Sequence, residues 1–175
     1  VGLGDRAAYL NSSGSHNIAI GSAALYSNTT GGANVAVGRS ALESNTTASN
    51  NTAVGYQAGY SNTTGTGIDA FGKGALYANT TGNYLTAIGT NALASNTTGN
   101  QNVAIGFNAL AGQISAPLNN AQACVAVGYA ALQYASTPFN TGVGYQVLQG
   151  NSSNGIGNNY QTAFGYQASQ FNDAP

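Results

Sequence analysis

Residues able to do acid–base, nucleophilic or metal chemistry are few in this chain and lie far apart. Its one histidine is His16 and its one cysteine is Cys124. A nucleophile and its base must lie within hydrogen-bond reach, and a tetrahedral zinc site needs more ligands than one His and one Cys. The four acidic residues are also scattered: Asp5, Glu43, Asp69 and Asp173. We therefore expect no catalytic residues, no metal site and no cofactor, and a protein that is not an enzyme.

The composition excludes several classes of partner. Only 4% of the 175 residues are charged, against roughly 25% in ordinary globular domains, so Asn, Ser, Thr, Gln and Tyr must form the polar surface. Three Lys and Arg residues provide no basic face for nucleic acid. No apolar run approaches the roughly 18 residues of a membrane helix, so we expect no membrane insertion by this segment. The chain opens on Val1 without Met, and we expect it to be part of a longer protein.

A strict repeat runs through the whole chain. The pattern Ala-(Val/Ile/Phe)-Gly recurs at spacings of 17 residues six times in succession, then 22, 16 and 21. This period is too short for ankyrin, tetratricopeptide or propeller units and is the size of one coil of a β-solenoid. We call its glycines the register glycines: Gly4, Gly21, Gly38, Gly55, Gly72, Gly89, Gly106, Gly128, Gly144 and Gly165.

Residue size is restricted on both sides of the predicted strand. The residue before each register glycine is large and apolar in every repeat: Leu3, Ile20, Val37, Val54, Phe71, Ile88, Ile105, Val127, Val143 and Phe164. The residue before that one is always Ala or Gly. Neighbouring positions of a strand point to opposite faces, so something packs closely against each face.

Two further signals follow each register glycine. Small residues stand three positions after it and leucines dominate four positions after it, as at Ala24 and Leu25. An Asn-Thr-Thr-Gly turn then recurs, as at Asn28 to Gly31, because Asn and Gly tolerate left-handed backbone conformations. Stacked coils would align these turns into ladders along one edge. The turn is a sufficient cause for Asn-Thr-Thr, so its sequons do not by themselves indicate glycosylation.

The chain is predicted to be a single all-β domain over residues 1–175, with about ten 17-residue coils, regular over 1–110 and longer and irregular over 111–175. Ten coils at about 4.8 Å each give a rod section roughly 50 Å long. His16 and Cys124 would then lie about six coils, or roughly 29 Å, apart. A coil this short has a thin interior, so we expect a second buried face shared between chains that run side by side as a homo-oligomer.

Four segments resemble the head repeat of YadA-like trimeric autotransporter adhesins, which also occurs in phage tail fibres and related bacterial trimeric fibre proteins. They are Asn17 to Gly21, Asn34 to Gly38, Asn51 to Gly55 and Asn102 to Gly106, for example Asn-Ile-Ala-Ile-Gly. The resemblance implies a left-handed parallel β-roll, a parallel homotrimer, and an extracellular place on a bacterial surface or in a virion fibre.

Two features are candidates for ligand binding. The position after the register glycine is variable, and it is aromatic at Phe107, Tyr129, Tyr145 and Tyr166. An exposed aromatic stripe suits sugar faces or protein surfaces, although tyrosines could also cover the rod's flanks or lie between subunits. The second feature is the pair of longer coils, whose insertions around Leu118 and Asn154 map to surface loops.

These observations predict a fibre or adhesin head segment that attaches to a cell-surface glycan or protein, as in host or prey recognition. The uniform coils also suit a purely structural spacer whose recognition domain lies elsewhere. A third alternative is ice binding, because one threonine recurs in register at Thr29, Thr46, Thr63, Thr80 and Thr97.

Overall fold

The ten repeats form ten strands of one parallel sheet. A computed structural model describes residues 1–112, 122–135, 137–150 and 160–169. The strands pair in chain order and lie at β1 (Gly2–Leu3), β2 (Ile18–Ile20), β3 (Val35–Val37), β4 (Thr52–Val54), β5 (Ile68–Phe71), β6 (Leu85–Ile88), β7 (Val103–Ile105), β8 (Val125–Val127), β9 (Thr141–Val143) and β10 (Thr162–Phe164). The predicted all-β solenoid is thereby confirmed. We call each strand, with the segment that leads to the next strand, a coil.

Equivalent residues of successive coils lie on top of one another. Ala19 pairs with Ala36, and Ala36 pairs with Ala53. The longer seventh and ninth spacings keep the same register, since Ala104 pairs with Ala126 and Gly142 with Ala163. The register of the described strands is therefore the same across the longer spacings as across the regular ones.

The solenoid interior is narrow and consists of small side chains and leucines. The alanines two positions before the register glycines point inward, and Ala19, Ala36 and Ala53 are fully buried. The alanines and leucines of the following segment, such as Ala24 and Leu25, are buried opposite them. Because alanine occupies one wall, the two walls of each coil approach closely and a larger residue would push them apart.

The register glycines mark the point where each coil turns out of its strand. Their φ angles lie between 117° and 144°, a region that side-chain-bearing residues rarely adopt. At Gly72 a Cβ atom would lie 2.6 Å from the carbonyl oxygen of Gly89 in the next coil. Glycine is therefore required at this turn both by the local backbone and by the close approach of the next coil.

Left-handed backbone also occurs at residues other than glycine. The second and fourth residues after the register glycines have positive φ throughout, for example 57° at Ala23 and 52° at Leu25. Such conformations cost roughly 1–2 kcal/mol for a residue with a Cβ atom. Their amides are paired between coils, as where Leu25 N–H donates to Ala41 O at 3.0 Å. Stacking thus stabilises a backbone that a single coil would not adopt.

A ladder of asparagine side chains runs through the interior beside the turn. We call it the buried Asn ladder: Asn28, Asn45, Asn62, Asn79 and Asn96, all fully buried. Each Nδ2 donates to the Oδ1 of the equivalent asparagine in the preceding coil, at 2.6–3.0 Å. It also donates to the carbonyl three residues on, at 2.9–3.1 Å. The predicted ladder therefore lies inside the rod, where both amide protons of these sequons are already used.

A second asparagine position fixes the entry of several strands. Asn34 N–H donates to Asn17 Oδ1 at 2.9 Å, and Asn51 N–H donates to Asn34 Oδ1 at 3.1 Å. Ile68 and Leu85 take this position in β5 and β6 and are buried there. The position therefore accepts either an amide that bridges coils or an apolar side chain that fills the interior.

We predict that Asn62→Ala lowers the free energy of unfolding by about 2–4 kcal/mol, because it removes two donated bonds and leaves the Asn79 amide without one acceptor. Thr64→Ala, two residues along the same turn at an exposed position, is the matched control and should change it by less than about 0.5 kcal/mol. Chemical denaturation followed by circular dichroism measures both. Equal effects of the two substitutions would contradict the structural role of the ladder.

Candidate functional site

The outer face of the sheet carries a continuous line of large apolar side chains. We call it the apolar row, and it consists of the residues directly before the register glycines: Leu3, Ile20, Val37, Val54, Phe71, Ile88, Ile105, Val127, Val143 and Phe164. Ile20, Phe71 and Ile88 are 39–42% exposed, whereas the alanine before each of them is buried. The strand thus directs its small side chain inward and its large one outward.

The apolar row is wider than one residue in several coils. Ile18, Val35, Val103 and Val125 lie two residues earlier on the same strands, and they point to the same face because side chains alternate along a strand. Ten coils at about 4.8 Å per step extend the row over roughly 43 Å. A contiguous apolar surface of this length is a feature of interaction surfaces.

Four aromatic rings form a stack along the adjoining side of the rod. We call this stack the aromatic ladder: Phe107, Tyr129, Tyr145 and Tyr166. Successive ring centroids are 5.0–5.3 Å apart and the planes lie within 14° of each other. In-register coils place one ring above the next at about the strand spacing, which is also close to the distance of an offset aromatic stack.

Stacking determines which part of each ring faces the solvent. The four side chains are 41–73% exposed, and Tyr166 at the end of the described ladder is the most exposed. Because each inner ring is covered on its faces by its neighbours, the ladder presents ring edges and tyrosine hydroxyls. Among the ladder rings, the predicted contact with sugar faces is therefore restricted to the two end rings, Phe107 and Tyr166, whereas edges and hydroxyls suit a protein or a hydroxyl-rich surface.

The ladder is confined to the last four coils. The same position holds Arg39, Tyr56 and Lys73 in earlier coils, and the Arg39 guanidinium lies 5.9 Å from the centroid of the Tyr56 ring. Tyr9–Tyr26 and Tyr60–Tyr77 stack at another position of the coil. The other two predicted binding residues, Leu118 and Asn154, lie outside the described residues.

The residues considered for catalysis lie in separate surroundings. His16 is exposed, with Nδ1 3.1 Å from Ser15 Oγ. Cys124 is fully buried in the position that Asn102 takes one coil earlier, and its Sγ lies 3.5 Å from Thr137 O. Burial raises the pKa of the Cys124 thiol, which keeps it protonated and a poor nucleophile. Within the described part of the chain, no three His, Cys, Asp or Glu side chains cluster as metal ligands.

The threonines considered for ice binding use their hydroxyl groups within the rod. Thr29 Oγ1 donates to Thr46 O at 3.1 Å, and Thr46 and Thr63 repeat this contact with the coil that follows each. An ice-binding surface needs hydroxyls free to order water, so this array suits a structural role better.

Comparisons with known proteins give no relative for this chain: no protein-family model, no curated protein and no solved structure matches it. In the described ranges, no helix has the length and hydropathy of a membrane span.

Proposed function

We propose that this chain is a segment of a homotrimeric extracellular fibre, an adhesin head built as a left-handed parallel β-roll, on a bacterial surface or in a virion fibre. It attaches to a cell-surface glycan or protein and carries out no catalysis. The apolar row is the observation that supports the proposal most strongly. The resemblance of the Asn-Ile-Ala-Ile-Gly units to YadA-like head repeats supports the trimer and the handedness.

The apolar row suits association between copies of this chain. Its residues repeat at one spacing, so the row of one chain meets an identical row in another when the two chains are parallel and in register. A two-fold axis across the rods would make them antiparallel, whereas a rotation axis along the rod keeps every chain parallel, as a fibre with two different ends requires. Three rows around such an axis would enclose the apolar surface.

Attachment through the aromatic ladder explains why the rings are confined to one end. Tyr129, Tyr145 and Tyr166 present hydroxyls and ring edges, which combine apolar contact with hydrogen bonding. A trimer would carry three ladders, and three weak contacts on one rigid rod raise avidity without new chemistry. Electrostatic steering of this segment towards a charged cell surface does not contribute, since the chain has seven charged residues and a net charge of -1.

A purely structural spacer is the second candidate, and the regularity of the first seven coils favours it. Six consecutive spacings of 17 residues keep the buried Asn ladder unbroken from Asn28 to Asn96. Coils of equal size that stack in one register suit a long, stiff rod. Attachment remains the preferred function because the repeat spacing becomes irregular in the last four coils, and these coils carry the aromatic ladder.

We predict that Ile20→Cys, in a Cys124→Ala background, is cross-linked between chains by a short bis-maleimide. In a parallel trimer three equivalent sulfurs surround one axis, so two of every three chains can be joined and one remains single on a denaturing gel. A dimer would allow all chains to be joined. Thr81→Cys, on an exposed turn, is the control and should remain single at the same dilution.

An antiparallel pair gives a different result in this experiment. Ile20→Cys alone would then stay single, whereas a mixture of Ile20→Cys and Val143→Cys chains would be joined, because the second coil of one chain would face the ninth coil of the other. That outcome, or equal cross-linking at positions 20 and 81, would contradict the parallel trimer.

We also predict that replacing Tyr129, Tyr145 and Tyr166 together by Ala leaves the mass in solution unchanged and reduces attachment of the labelled protein to a panel of bacterial and mammalian cells at least tenfold. The matched control replaces the stacked pair Tyr9 and Tyr26 by Ala at the other end of the rod. Attachment that is unaltered by the triple substitution, or absent in the parent protein, would favour the spacer.

A further inference from the structure

An open groove of about 670 Å³ runs along the rod beside the aromatic ladder. It extends from Gln57 in the coil of β4 to Tyr134 in the coil of β8, a distance of about 19 Å at the strand spacing. One side is formed by residues one or two positions after the register glycines, and the other by residues five or six positions after them. The groove therefore lies on the segment that follows the register glycines, outside the strands that bear the apolar row.

The groove lies where alanine takes the place of tyrosine at one position of the repeat. Tyr60 and Tyr77 occupy the fifth position after their register glycines and stack on each other at 5.2 Å. The next two coils carry Ala94 and Ala111 there, so the ridge stops at Tyr77 and a depression begins. Small residues line it: Gly74, Ala78, Ala94, Ala111 and Gly112.

A second aromatic ring closes the far end of the groove. A Cβ atom on Gly112 would lie 2.6 Å from two ring carbons of Tyr134. Glycine at position 112 thus allows the Tyr134 ring to lie against the backbone of the preceding coil, where it lines the groove. Tyr77 and Tyr134 consequently bound a channel lined by small residues, with one aromatic ring towards each end.

The polar groups of the groove are nearly all uncharged. Side-chain amides line it in the coils of β4, β6, β7 and β8: Gln57, Asn91, Asn108 and Gln133. Hydroxyl groups come from Tyr77, Ser95 and Tyr134, and among the described lining residues there is no carboxylate and Lys73 is the one cation. Amides spaced along the rod, two of them at the same position of successive coils (Asn91 and Asn108), with aromatic rings beyond them, match a neutral chain of hydroxyl-rich units.

The backbone along the groove is not available to add a strand. Gly74 N–H donates to Tyr56 O, Asn91 N–H to Lys73 O, and Ser95 N–H to Ala111 O, at 2.9–3.2 Å. A peptide bound in extended form gains most of its affinity from main-chain pairs at an open sheet edge. Recognition in this groove must instead use side-chain amides, hydroxyls and ring faces, which favours a carbohydrate over a peptide.

We propose that this groove binds a neutral oligosaccharide that lies extended along the rod, with its sugars in step with the coils. The inference rests on the proposed attachment function and names the ligand class and the place of contact. Asn91 and Asn108 hold hydroxyls of successive sugars, while Tyr77 and Tyr134 pack against sugar faces at the two ends. Because Asn108 directly follows Phe107, the groove continues into the aromatic ladder and enlarges one binding side of the rod.

The test is binding of the intact protein to an array of neutral oligosaccharides of four to six sugars: β-1,4-glucan, β-1,4-linked N-acetylglucosamine, α-1,4-glucan and mannan fragments. The fragment that binds best is then titrated by calorimetry. Ala94→Tyr fills the groove with the residue that Tyr77 already places at this position, so it preserves the fold and should reduce affinity at least twentyfold. Glu43→Tyr introduces the same residue at the equivalent position of a coil outside the groove and should leave affinity unchanged.

Asn91→Ala tests the chemistry of the groove separately from its shape. Ala23 and Ala130 already adopt the left-handed backbone of this position, so the variant should fold and lose about fivefold in affinity, the cost of one hydrogen bond. Absence of binding to every neutral fragment at millimolar concentration overturns the proposal. Binding that Ala94→Tyr and Glu43→Tyr reduce equally also overturns it, as does binding of heparin fragments or extended peptides alone.

Mass in solution, measured on the same samples, distinguishes a failure of the groove proposal from a failure of the proposed function. A monomer that binds oligosaccharide in the groove would support the site and contradict the trimer. A trimer that attaches to cells through the aromatic ladder but binds no neutral oligosaccharide would support the proposed function and reject the groove.

Discussion

The structure depends on the stacking of each coil directly on the one before it. Every coil leaves backbone and side-chain polar groups that only an identical neighbour can satisfy, as the 2.6–3.0 Å bonds of the buried Asn ladder demonstrate. The same stacking brings register glycines so close that no side chain fits between them. It also holds Ala23 and Leu25 in left-handed conformations that are unfavourable in isolation. Stability is therefore a property of neighbouring coils together, as in other solenoid proteins.

Close stacking and a narrow interior together place large side chains on the outside. Alanine or glycine at the inward position of each strand brings the coil walls together, so the neighbouring large apolar residue must point outward. The apolar row follows from this geometry, and it gives a thin rod a surface for packing against copies of itself. The coil sides that do not belong to the sheet remain free to vary, and they carry the aromatic ladder and the groove.

Much of the fold was predictable from the sequence because stacking repeats the same requirement at the same position. The period of 17, the glycines, and the small and leucine positions predicted the solenoid and its ten strands. Which strand face is inward could not be decided, since Ala36 and Val37 are both restricted in size. The left-handed backbone at Leu25 gave no signal because leucine is not a turn residue. The turn asparagines were expected to form ladders along an edge, although their side chains are buried inside the rod. The groove was missed because it arises where tyrosine is replaced by Ala94 and Ala111, an absence rather than a motif.

The central claim is that the apolar row is an interface between parallel copies of this chain. Light scattering of the unaltered 17.4 kDa chain across a hundredfold range of concentration tests it most directly. The account predicts a mass of three chains that does not change with dilution, because an apolar surface along the whole rod should hold the copies together at micromolar concentration. A stable, folded single chain throughout that range would contradict it.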